Sequence, residues 1–143
     1  MDVRPFHVEH LRRMKLQPAQ RHLAPTLTED MLAFMAGLDA YTVLVDDEPV
    51  ACAGLLDIWP GRAMVFSYLS ESAGRHMVGV TRAVRQFLDL KAPRRTELYV
   101  DAGFEAGRRW AELLGFRCET PEPMQHFEAD GRSQYLYARI RHV

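Results

Sequence analysis

The chain is poor in cysteine: Cys52 and Cys118 are the only two in 143 residues. They form no C-x-x-C pair, which removes the usual zinc and dithiol patterns. Each reads as a small buried hydrophobe with a reduced thiol. Lysine is scarce as well. Of eighteen cations only Lys15 and Lys91 are lysines, and the rest are arginines, which fork onto carboxylate or phosphate and stay charged. Charge of one sign is lacking: eighteen cations meet nineteen carboxylates, for a net charge of −1. A protein that coats nucleic acid is therefore not expected. No run approaches the ~20 apolar residues that span a bilayer, and the first residues carry no signal-peptide core. The expectation is a cytoplasmic protein with no membrane partner. There is no repeat, no low-complexity tract, no G-x-S-x-G and no P-loop.

What is present is the balance of an ordinary folded protein. Hydrophobic residues make up 48% and charged residues 26%, too apolar and too neutral for disorder. The length suits one domain over residues 1–143.

Val3 to His7 reads as a short edge strand, broken by Pro5. Val8 to Leu16 turns helical and stops at Pro18. A loop containing Pro25 follows. Thr28 is placed as an N-cap for a helix with Met31, Phe34, Met35 and Leu38 on one face. Three strands come next: Tyr41 to Val45, Val50 to Ile58 and Ala63 to Leu69, joined by the turns Asp46–Pro49 and Trp59–Arg62. Trp59 is either an exposed contact residue or packs back on the sheet. The longest helical pattern runs from Arg75 to Leu90, with Met77, Val80, Val84, Phe87 and Leu88 at three-and-four spacing. Arg95 to Asp101 is a strand with Leu98 and Val100 inward. Glu105 to Leu114 is a helix closed by Gly115. Strands near Arg117–Glu119 and over Gln134–Ile140 end the chain, with Asp130-Gly131 as a turn between them.

That order, together with the helix opening near Gly74 and the run Trp110-Ala111-Glu112-Leu113-Leu114-Gly115-Phe116, resembles the Gcn5-related N-acetyltransferases. The resemblance implies an α+β (mixed α/β) fold: a mostly antiparallel sheet of six to seven strands flanked by four helices. The implied activity is direct transfer of acetyl from acetyl-CoA, a co-substrate, to the amine of a small molecule or protein. Within that superfamily, Ala73–Met77, Thr81–Arg85, Asp101–Phe104 and Leu136–Arg139 resemble small tailed-phage and prophage proteins. Those are described as acetyltransferase-like or as internal virion proteins. The alternative is thus a non-catalytic virion or host-interaction protein that keeps the fold. Proteins of the resembled fold often pair through exposed sheet edges, so the resemblance also implies a homodimer.

The resemblance assigns Gly74, Arg75, His76 and Met77 to the acetyl-CoA pyrophosphate, through backbone N–H groups at a helix start. Tyr68 and Leu69, at the end of the preceding strand, would pair with the pantetheine arm. Candidate bases are Glu71, Asp101 and His126. Four positions depart from the family pattern. Glu71 replaces a cation or amide, His76 a small residue, Ala111 the tyrosine acid and Phe104 an asparagine. The plainer readings are that Ser72 caps the helix after Gly74 and that Asp101 caps the next one. Tyr99, Tyr135 and Tyr137 read as strand aromatics. No metal site is assigned, since the H-x-E-H cluster of His7 and His10 with Glu9 has no further partner.

Overall fold

Seven strands form a single sheet in the order β1-β2-β3-β4-β5-β7-β6 in the computed structural model, which describes residues 1–142. The chain divides into two compact units. The first comprises Met1–Leu56 and Phe66–Leu88; the second comprises Asp57–Val65 and Asp89–Val143.

In the first unit, β1 (Asp2–Pro5) lies antiparallel to β2 (Asp39–Val45) as an edge strand. Asp46 and Asp47 carry φ of 49° and 67°. That pair of left-handed residues makes the tight turn into β3 (Glu48–Trp59). Gly54 on β3 is where the ring of Phe66 comes closest. A Cβ there would meet Phe66 Cζ at 2.5 Å and Ala40 Cβ at 2.8 Å, so only glycine fits.

Two helical expectations are corrected. Helix α1 covers Val8–Arg13 rather than running to Leu16. The backbone after it pairs with the end of β4 (Arg62–Leu69). Leu16 bridges Ser70, Glu71 N–H donates to Lys15 O at 2.8 Å, and Gln17 N–H donates to Leu69 O at 2.9 Å. Those bonds replace the helical ones. Pro18–Thr26, expected as loop, winds as a 3-10 stretch. Helix α2 (Glu29–Ala36) starts as expected, with Thr28 Oγ1 accepting from Met31 N–H at 3.2 Å. Its inward face is Leu32 and Met35, however, while Met31 and Phe34 stay exposed. Leu32 and Met35 join Leu11, Met14, Leu16 and Cys52 in one core cluster, against which Phe66 and Tyr68 pack. A 3-10 turn, Ala73–His76, leads into α3 (Met77–Lys91), whose buried stripe is Val80, Val84 and Leu88.

In the second unit, Gly61 takes φ of 94° in the turn between β3 and β4. The first residues of β4, Arg62–Met64, pair in parallel with Arg95–Glu97 of β5 (Arg95–Asp101). A parallel pair needs a crossover, and α3 supplies it. β5 pairs antiparallel with all of β7 (Gln134–Ile140), and β7 carries the two-residue β6 (Arg117–Cys118) on its other side. Helix α4 (Glu105–Leu113) ends at Gly115, whose φ of 94° closes it.

Candidate functional site

The end of β4 and the start of α3 gather most of the assigned residues, all in the first unit. Ser70 fixes the passage between them. Its N–H donates to Val50 O on β3 at 2.9 Å, and its carbonyl accepts Ala73 N–H at 3.0 Å. Its Oγ lies 2.8 Å from Ser72 Oγ and accepts Ser72 N–H at 3.2 Å. Ser72 stands at the N-cap position of the 3-10 turn, but its side chain is turned to Ser70 and caps nothing.

Gly74 follows, and nothing in the protein requires glycine there. Its φ is not left-handed, and a Cβ built on it would meet no atom within 4 Å. The backbone at Gly74 is open to approach. Arg75 is exposed; His76 and Met77 are half-buried. Glu71 is exposed and pairs with Arg21 at 3.3 Å.

The strand end is occupied. Leu69 N–H donates to Gln20 Oε1 at 2.9 Å, and Leu69 O accepts Gln17 N–H. Gln20 Nε2 donates to Ser67 O at 2.8 Å. Tyr68 is half-buried, and burial raises its phenol above the ordinary tyrosine value. Burial pushes the Cys52 thiol up to about 12, so it is no nucleophile at neutral pH.

A cavity of about 490 Å³ opens beside Glu71, among α1, the Pro18–Thr26 stretch and α2. Leu16, Leu27 and Leu32 give it apolar walls; Lys15, Arg21 and Glu29 give it charge. Arg12 is held by Glu9 and Glu29.

The other candidates lie in the second unit. Asp101 ends β5 and both its oxygens are engaged. Oδ1 accepts Gly103 N–H at 2.8 Å, and Oδ2 accepts from Arg132 at 3.1 Å. His126 sits in a turn with φ of 53°. Ala111 is buried in the core. Phe104 lays its ring on the first turn of α4, where a Cβ at Gly107 would meet it at 2.5 Å. The tyrosines are structural: Tyr137 is fully buried with its hydroxyl accepting from Arg108 Nε at 2.9 Å. Arg108 also stacks on Tyr135, and Tyr99 on Phe127.

Sequence reasoning missed two features. Gln20 carries no local signal, being one amide in a proline-flanked stretch. Glu97 is 2% exposed and takes a bidentate fork from Arg62, both bonds 2.8 Å, plus Arg95 at 2.5 Å. These cations hold its carboxyl below the usual range despite burial. The H-x-E-H run at His7–His10 serves as a helix cap. Glu9 N–H donates to His7 Nδ1 and His7 N–H donates to His10 Nδ1, each at 3.1 Å.

No family model matches the chain, and no curated protein matches it by sequence. Solved structures do match along nearly its full length. Ard1 of Thermoplasma volcanium aligns with a TM-score of 0.80 at 15% identity, covering 99% of this chain and 98% of that one. An acetyltransferase of the GNAT family from Bacillus anthracis aligns at 0.70 and 9% identity, covering 96% and 93%. An acetyl transferase from Salmonella typhimurium that modifies the N-terminal serine of a 50S ribosomal subunit protein aligns at 0.65 and 16%, covering 98% and 94%. The seven-stranded, mostly antiparallel sheet and its helices are those of the Gcn5-related N-acetyltransferase fold.

Proposed function

We propose that this protein is an N-acetyltransferase that uses acetyl-CoA as substrate and passes the acetyl group directly to an amine. The observation that carries the reading is the open backbone at Gly74. Neither conformation nor packing calls for glycine there. A position kept free of a side chain at a helix start suits a phosphate oxygen approaching backbone N–H groups. Arg75, exposed and with no ion-pair partner among the described residues, supplies a cation for the same anion. His76 and Met77 complete that turn. Tyr68 and Leu69 are assigned to the pantetheine arm, whose amides pair as a strand does.

We assign the base to Glu71 rather than Asp101. Both oxygens of Asp101 hold a turn and an arginine. Glu71 makes one exposed ion pair, the kind worth about 0–1 kcal/mol, and can exchange Arg21 for an incoming ammonium. The acceptor amine is assigned to the cavity beside it. Glu71 takes one proton from the ammonium to leave a neutral amine; its nitrogen then forms a bond to the acetyl carbon, the carbon–sulfur bond breaks, and the second proton the nitrogen sheds passes to water. The sulfur leaves as thiolate and is protonated by water, since Ala111 offers no acid. The structural neighbours' amines, an N-terminal serine among them, fit an amine acceptor. The phage or prophage type rests on the sequence resemblance, and the cytoplasmic location on the two lone cysteines read as reduced thiols. Among the described residues no helix is long and apolar enough to cross a membrane.

A second reading, a virion or host-interaction protein without the chemistry, is favoured by the buried Ala111 and by the engaged backbone of Leu69. Isothermal titration of acetyl-CoA separates the two. The enzyme binds in the low micromolar range, about −8 kcal/mol, and releases free thiol when a matching amine is added. No heat, with an unchanged melting temperature at high acetyl-CoA, overturns the enzyme reading.

A further inference from the structure

Gln20 makes contacts that a strand normally makes. Ser70 N–H reaches Val50 O on β3, so by alternation Leu69 and Ser67 direct their backbone groups to the edge of β4 facing away from β3. On that edge Gln20 Nε2 donates to Ser67 O at 2.8 Å, and Gln20 Oε1 accepts Leu69 N–H at 2.9 Å. One residue of a parallel strand would meet the same two groups, its N–H on the first carbonyl and its C=O on the amide two residues on. Gln17 steadies the arrangement: its Nε2 reaches Gln20 Oε1 at 3.2 Å, and its own N–H satisfies Leu69 O at 2.9 Å. An edge of this kind is a template for an extended chain. Here a side-chain amide fills it.

We propose that Gln20 is a built-in occupant of an amide-recognition edge on β4, and that it must withdraw before an extended amide-bearing ligand can pair with Ser67 and Leu69. The identity of that ligand as the pantetheine arm of acetyl-CoA rests on the function proposed above; the edge and its occupant do not. Withdrawal is feasible because the contact is one half-buried side chain on a stretch that contributes no buried residue of its own. Binding is then a competition. The apparent affinity is reduced by the fraction of molecules in which Gln20 is out.

The test uses the full chain, its Gln20→Ala variant and its Gln20→Met variant, which keeps the side chain's length without the amide. Acetyl-CoA and pantetheine are titrated into each, with heat and the Leu69 backbone amide resonance as readouts. The expected result is binding roughly tenfold tighter in both variants, with the Leu69 amide moving as ligand is added. Equal affinity in all three proteins with Leu69 unmoved overturns the gate and leaves the acetyltransferase reading standing. Weaker binding in the variants also overturns it, because Gln20 would then be a ligand contact. Pantetheine moving Leu69 in the variants, while acetyl-CoA binds none of the three, keeps the gate and overturns the acetyltransferase reading. Failure of both probes to move Leu69 in any protein overturns the gate.

Discussion

Substituting Gly74 separates stability from binding, because the two make opposite demands on that position. Alanine there meets no atom within 4 Å and needs no left-handed φ. The folded state therefore gains no strain, while the unfolded chain loses freedom. Gly74→Ala is expected to stabilise by about 0.4–1 kcal/mol. In a protein of this size that raises the melting temperature by roughly 1–3 °C. Gly74→Leu projects into the same open space and is expected to fold within about 0.5 kcal/mol of the parent. It covers the backbone N–H groups, however, and should weaken acetyl-CoA binding at least tenfold, about 1.4 kcal/mol. Urea unfolding reads the first quantity, with an unchanged slope showing that the comparison is fair. Titration calorimetry reads the second. A loss of stability in Gly74→Ala would show that glycine is structural after all. Parent-like affinity in Gly74→Leu would remove this turn from the binding site.

Three further outcomes follow from the packing and the charges. Glu97→Ala removes a buried carboxylate from two arginines that keep other partners, Arg62 on the Trp59 ring and Arg95 on Glu119. The loss is about 3 kcal/mol by urea unfolding at pH 7. Because the folded-state pKa of Glu97 is lowered, chiefly by Arg62, its contribution is present above the ordinary 4.5 and disappears as pH falls through the lowered value. Parent and variant should therefore converge in acid; a constant gap would contradict the ion-pair account. Gly54→Ala forces a Cβ onto Phe66 and Ala40 and should cost about 1–3 kcal/mol, partly restored by Phe66→Leu. Finally, His10 sits with Nδ1 2.8 Å from the buried Thr42 hydroxyl. Burial first, then His7, Arg13 and Arg4, hold its pKa below 6.5. The fold favours the neutral ring, so this stability is complete above pH 6.5 and is lost as pH falls through the lowered folded value. The urea midpoint of the parent should drop between pH 7 and 5 more steeply than that of His10→Gln.

Much of the fold was legible locally. The β-branched and aromatic run at 41–45 and the alternation over 63–69 announced their strands, and Thr28 and Gly115 marked helix ends by cap chemistry. The Gly74 turn was legible too, because glycine before a long amphipathic helix is a local pattern. The face of α2 was not. Met31 and Phe34 suit an apolar stripe as well as Leu32 and Met35 do, and only the position of the partner decides between them. Glu97 escaped for a related reason: its neighbours Leu98 and Val100 suggested the inward set. Its own burial depends on Arg62, thirty-five residues away, whose side chain reaches it because the β4–β5 pairing sets Arg62 opposite Arg95, two residues before Glu97.

By itself the sequence determined the order of strands and helices, the tight turns, and the helix ends at Thr28 and Gly115. These depend on φ preferences and hydrogen bonds within a few residues, which local composition controls. The tertiary structure alone decided how the end of β4 is used. Leu16 bridges Ser70, and Gln20 covers Ser67 and Leu69. A backbone N–H or C=O carries no residue identity, so nothing in the letters at 67–69 tells whether a strand, a side chain or a ligand will satisfy it. Only the long-range path of the chain does.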